Sequence, residues 1–166
     1  MKRIVTAVVI ILFLFVGLAY ALNRKTAAEA KAMLDKAVAF YKANGPEKAF
    51  AAFNDPKGPF VDGDLYIFAV DLNGKILAHA VKPGLIGRNM NQIRDSEGKN
   101  FIAEMVELAK AKGSGTVEYK WENPNSIVVE KKTSYIQRVD DVVLGCGYFI
   151  AYEWQLLYEL TDKLQQ

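Results

Sequence analysis

Three strand-like stretches follow one another near the C-terminal end of the chain, over residues 116–121, 127–139 and 142–150, and only Asp140-Asp141 separates the last two. So short a connection joins antiparallel neighbours, because a parallel crossover needs a dozen or more residues. The chain is thereby committed to an antiparallel sheet. A second hairpin lies upstream. Leu65-Tyr66-Ile67-Phe68-Ala69-Val70 is an aromatic and β-branched run, Asp71-Leu72-Asn73-Gly74 is a turn, and residues 75–81 return as the second strand.

Helical patterns surround these strands. Ala30, Met33, Leu34, Ala37, Val38 and Tyr41 fall on one helical stripe, which predicts a helix over residues 26–44. Asn44-Gly45-Pro46 ends it, and residues 47–53 add a further short helical stretch. Phe101, Ile102, Met105, Leu108 and Ala109 share one face of a helix over 99–112, stopped by Gly113 and Gly115. An amphipathic helix is expected over 152–164. The Gly/Pro/Asn-rich stretch 82–98 is a long connection, and such loops are often functional. The expected class is α+β: a five-stranded antiparallel sheet with helices on its faces.

The N-terminus is read separately. Met1-Lys2-Arg3 is followed by an apolar run from Ile4 to Leu22, broken by Thr6 and Gly17, and Ala19-Tyr20-Ala21 has the small-x-small form of a signal-peptidase site. Residues 1–21 therefore read as a secretory signal. An uncleaved anchor over residues 4–22 is the alternative, since the run has the length to span a bilayer. Either reading places residues 22–166, a single domain, in the periplasm or otherwise outside the cytoplasm. Removing 21 of the 166 residues leaves 145, enough for one core.

Loss of Lys2 and Arg3 leaves 19 basic residues against 19 acidic ones. A neutral chain with no basic run longer than Lys131-Lys132 lacks the clustered positive face that a nucleic acid requires. Cys146 is the one cysteine, set in an apolar strand, and reads as a small buried residue. With His79 as the one histidine, no metal or haem spacing exists, and no cofactor or metal is expected. Asp71, Asp95 and Glu104 read as turn and helix-surface residues. No nucleophile–base pair or phosphate loop occurs, so an enzyme is not expected.

An ordered series of short motifs is more specific. Tyr66 to Gly74 is followed by Leu77-Ala78-His79-Ala80, Pro83, Gly87-Arg88-Asn89 and Asp95-Ser96-Glu97-Gly98. Then come Ala109 to Gly115, Tyr119-Lys120-Trp121, Lys132-Thr133-Ser134-Tyr135 and Gly145-Cys146-Gly147-Tyr148. This series resembles the single-Cache family, the PAS-like extracellular sensor domain of bacterial chemoreceptors and sensor kinases. The resemblance implies a long N-terminal helix packed on a five-stranded sheet, with a pocket under the loop between the second and third strands. It implies a small ligand, commonly a short carboxylate such as acetate, propionate, pyruvate or lactate. The chain departs from the family at Ala80, where a proline is usual, and at Val142, where a tryptophan is frequent. Members of the family that act as receptors continue into a second membrane helix and a signalling domain. This chain is expected to lack that output.

A buried carboxylate needs positive charge and directed donors. The candidates are Lys132, unusual in mid-strand, and Arg88 in the Gly-rich loop. His79 can donate and is the group expected to titrate near neutral pH. Of Tyr66, Tyr119, Trp121, Tyr135 and Tyr148, each with a donor at its tip, two or three are expected to touch the ligand. Strand parity adds a constraint. Lys132 and Tyr135 are three apart and point oppositely in a regular strand, so a bulge lies between them or only one, Lys132, lines the pocket. A further reading makes the chain an accessory subunit or homodimer. It would dock to a membrane sensor or a second copy through Val38 and Tyr41, or through Trp154, Leu157 and Leu160.

Overall fold

The computed structural model describes residues 24–150. The signal or anchor reading of residues 1–21 and the helix expected over 152–164 lie outside the described residues. Within them the order is α1 (Ala27–Phe53), β1 (Val61–Asp62), β2 (Leu65–Asp71), β3 (Ile76–His79), a single 3₁₀ turn (Pro83–Leu85), α2 (Phe101–Lys112), β4 (Ser114–Glu122), β5 (Val129–Val139) and β6 (Val142–Ile150). The five expected strands all form. The sixth, β1, has two residues, too few to leave a periodic signal.

Helix α1 begins with a capping box. The Thr26 hydroxyl accepts from the Glu29 amide, and the Glu29 carboxylate accepts from the Thr26 amide, satisfying two donors that a helix start leaves open. The expected break at Asn44-Gly45-Pro46 appears as a kink: Gly45 has φ 77°, a left-handed value open to glycine, and the second helical segment starts at Pro46. The Asn73-Gly74 turn is held by Asp71, whose Oδ1 accepts from the amides of Asn73 and Lys75 at 2.8 and 2.9 Å.

The strands are antiparallel in the order β1-β2-β6-β5-β4, and β3 also pairs with β2. β5 is the centre of the long hairpin stack, in unbroken register with β4 from Ser114↔Gln137 to Glu122↔Val129 and with β6 from Lys131↔Ile150 to Val139↔Val142. The pleat sends alternate residues to opposite faces. One face carries Leu65, Ile67, Ala69, Leu144 and Cys146 against Leu34, Ala37, Val38, Tyr41 and Phe53 of α1. The other carries Phe68, Val70, Val117, Tyr119, Ile136 and Val143 against Phe101, Ile102, Met105 and Ala109 of α2. The molecule is thus three layers, with a hydrophobic core on each side of the sheet.

Candidate functional site

The second face departs from an ordinary core. Lys132 lies in the middle of β5 with no exposed surface, and its ammonium has no hydrogen-bond partner among the described residues. Aromatic rings surround it instead: Nζ stands 3.8 Å from the centroid of Tyr66, 4.8 Å from Phe149 and 5.9 Å from Phe68. The rings' negative faces attract the cation, but they do not replace water. Burial therefore pulls the Lys132 ammonium down to about 7.

Two glycines make the room. On β6, Gly145 and Gly147 share the face of Lys132. A Cβ at Gly147 would sit 2.7 Å from Lys132 Cε and 2.2 Å from Ser134 Oγ; one at Gly145 would sit 2.1 Å from the Phe68 ring. The Gly-x-Gly spacing is thus the imprint of a lysine and a phenylalanine crossing the neighbouring strand.

Polar groups collect around the lysine. His79, at the end of β3, is buried with its ring 4.9 Å from that of Tyr66 and 6.3 Å from that of Trp121. Its Nδ1 accepts from the Lys82 amide at 3.1 Å, which leaves the proton on Nε2 as a donor. Burial, with Lys132 and Lys82 adding repulsion, pushes the imidazole down to about 3. The expectation that His79 titrates near neutrality is therefore corrected: it is a fixed neutral donor, and Lys132 is the group poised near pH 7. The Tyr119 hydroxyl shares a hydrogen bond of 3.0 Å with Ser134. The Tyr66 hydroxyl is buried near Trp121, short of hydrogen-bond geometry. Asp64, at the foot of β2, is also buried, with Oδ1 unpartnered among the described residues; burial holds its carboxyl above the usual range.

A cavity of about 20 Å³ lies between these groups and the connection that follows β3, lined by Tyr66, Phe68, Ile76, His79, Leu85, Met90, Ile102, Tyr119 and Trp121. That volume holds about one water. Ile76 and His79 are three apart, yet both line it, because the β2–β3 register shifts between Ala69 and Val70. A larger surface groove of about 320 Å³ involves Glu97, Lys120, Glu118 and Lys131, but these are already joined as Lys120–Glu97 and Lys131–Glu118 ion pairs.

Lys132, His79, Tyr66, Tyr119 and Trp121 thus come together, and three candidates do not. Arg88 is exposed. Among the described residues only its backbone is engaged, its amide donating to Leu85 and its carbonyl accepting from Ile76. Tyr135 and Tyr148 sit on the α1 face with rings 6.4 Å apart, because β5 and β6 carry no bulge between the relevant positions. Sequence reasoning missed Lys82, whose Nζ lies 5.0 Å from the Trp121 ring while paired to Glu122 at 3.0 Å. It also missed Ser134 and Phe68. The Gly145-x-Gly147 alternation could have signalled bulky neighbours on that face. Cys146 is buried on the α1 side with its thiol pushed up to about 12, an inert placement.

Comparison with known proteins agrees with this architecture. Residues 9–165 match the family model described as Cache domain. The chain is 38% identical over 91 residues to the methyl-accepting chemotaxis protein McpP of Pseudomonas putida; the match covers 54% of this chain and 17% of that protein. The chain therefore spans under a fifth of the length of this relative. A methyl-accepting chemotaxis protein of Vibrio parahaemolyticus superposes with a TM-score of 0.65 at 28% identity, covering 74% of this chain and 87% of that one. A structure described as the basis for carboxylic acid recognition by a Cache chemosensory domain gives 0.59 at 27% identity, over 75% of this chain and 88% of that one. The family match over nearly the whole length, together with a helix-backed antiparallel sheet of the same form, establishes that the chain belongs to the Cache family of sensor domains.

Proposed function

We propose that this protein is a periplasmic sensor domain that binds a short organic acid of the acetate, propionate, pyruvate or lactate type beneath the connection following β3. One observation carries the reading: a fully buried lysine whose ammonium has no hydrogen-bond partner among the described residues, packed against the same Tyr66 ring as a buried histidine. An uncompensated buried charge is costly. A carboxylate is the complementary group, since it accepts from Lys132 and from the Nε2 proton of His79 while Tyr66, Phe68 and Trp121 enclose a short apolar tail. The carboxylic acid recognised by the related Cache chemosensory domain supports the same class.

The roles follow from placement. Lys132 neutralises the anion, His79 orients it, and Tyr66 and Trp121 bound the tail. The reading is one of recognition without catalysis, with residues 4–22 carrying the chain to the membrane or holding it there. The cavity of about 20 Å³ is too small for even acetate, so on this reading the site widens when the ligand enters. Calorimetry with the four acids tests the proposal. Heat is expected from at least one, and none from Lys132→Met, which keeps the length of the side chain without its charge. Silence from all four in the wild type overturns it.

The accessory-subunit reading is less well supported. Val38 and Tyr41 are 7% and 6% exposed, already packed against the sheet, and Trp154, Leu157 and Leu160 lie outside the described residues.

A further inference from the structure

Three consecutive aliphatic residues stand out on the surface. Ile127, Val128 and Val129, where the β4–β5 hairpin turns, are 78%, 54% and 52% exposed. Side chains of this kind normally find cover, and a contiguous exposed group of them marks an interaction surface. The backbone beneath them is also unusual. Ile127 has φ 58°, in the left-handed region that β-branched residues avoid. The turn is held there by Ile127 donating to the Asn123 carbonyl and Asn123 to the Val128 carbonyl, both at 2.8 Å. Asn123 Oδ1 accepts from the Asn125 amide, and Asn123 Nδ2 donates to Glu130. An Asn or Gly at position 127 would relieve the strain. The loop keeps an isoleucine and turns it outward.

What covers this patch is indicated by the segments that meet around it. Glu130, the next residue, receives both guanidinium nitrogens of Arg24 at 2.8 and 3.0 Å. Arg24 is two residues from Leu22, the last of the apolar run 4–22. At about 3.8 Å per residue, that run ends within roughly 8 Å of the Arg24 Cα. Ile150, the last residue of β6, pairs with Lys131, so β6 also finishes beside this hairpin. The Asp140-Asp141 turn lies at the opposite end of the same strands.

We infer that the β4–β5 hairpin tip is a membrane-contact site: Ile127, Val128 and Val129 seat in the lipid interface at the point where the apolar run enters the bilayer. The inference rests on the anchored form of the reading above and is independent of the ligand. The tip forms a second contact beside the run, and the Arg24–Glu130 pair ties the two together. The acidic and basic groups nearby are paired to one another, as in Lys25–Asp62 and Lys131–Glu118. Apolar burial, more than charge, therefore drives the contact.

The test uses the full chain in vesicles of phosphatidylethanolamine and phosphatidylglycerol carrying lipids spin-labelled near the headgroup. A polarity-sensitive fluorophore is placed on Val128→Cys or, at the far end, on Asp141→Cys; buried Cys146 does not take the label. The chain is expected to co-sediment with the vesicles. The label at 128 is expected to be quenched several-fold more than that at 141, and Ile127→Ser with Val129→Ser is expected to remove most of the excess. Co-sedimentation with equal quenching at both positions overturns the inference and leaves the anchor standing. Failure to co-sediment overturns the anchor reading and the inference with it. Neither result touches the carboxylate reading, which calorimetry decides.

Discussion

The two faces of the sheet are built from the same strands, and they solve opposite problems. On the α1 face, Leu34, Ala37, Phe53, Ile67 and Leu144 are 0–1% exposed and wholly apolar. On the α2 face, one residue along in each strand, Lys132, Ser134, His79 and Tyr66 are also buried, and the Lys132 ammonium and Tyr66 hydroxyl have no partner among the described residues. Buried polar groups are ordinarily hydrogen-bonded. The contrast teaches that both faces hold an apolar core while one of them also buries polar groups at a cost in stability, which the proposed binding role would account for.

The comparison can be broken most strongly on the first face. Leu34→Ala empties a position 1% exposed and is expected to cost about 3 kcal/mol, by the usual penalty for a buried leucine. Urea unfolding measures it, and a loss under ~1 kcal/mol would show that this face is less tightly packed than described. On the second face, Gly145→Ala drives a methyl into the Phe68 ring. Overpacking of this kind costs about 1–3 kcal/mol, read by the same method, and unchanged stability would mean that the ring moves freely aside.

Lys132→Met should act in the opposite direction. Replacing a buried, unpaired ammonium by an apolar side chain of similar length is expected to stabilise the protein by roughly 1–2 kcal/mol at pH 7 while abolishing carboxylate binding. A destabilised variant would mean that the ammonium is held by partners not described here. The pH dependence sharpens this. The Lys132 ammonium is pulled down from 10.5 to about 7, so between those values the unfolded chain binds the extra proton. Stability contributed by this residue therefore rises as pH climbs from 7 toward 10 and is flat below 7. The difference between wild type and Lys132→Met, followed by thermal unfolding across that range, should widen toward low pH; a constant difference would place the lysine in water. The smallest effect is expected for Arg88→Ala: within about 0.5 kcal/mol in stability, as for an exposed substitution, and with unchanged calorimetric affinity.

Much of this contrast was legible in the sequence. Parity along β5 already set Lys132 against Tyr135, and the two-residue connection at Asp140-Asp141 required the β5–β6 hairpin. The failures have physical causes. Arg88 looked like an anion ligand by type, but its direction depends on a loop held through Leu85 and Ile76 backbone bonds, which periodicity does not encode. His79 looked titratable because histidine is so in water; its neutrality comes from burial and from lysines distant in sequence. Ile76 and His79 share the cavity only through a register shift that appears once β2 and β3 are paired.

The proton accounting of Lys132 has one further consequence. A lysine that rests near half-charged at neutral pH becomes fully charged when an anion settles against it. On the proposed reading, binding of a carboxylate above pH 7 would therefore take up a proton from solution. If a carboxylate binds there as proposed, the same concentration of acid would be held more tightly in an acidifying medium than in an alkaline one.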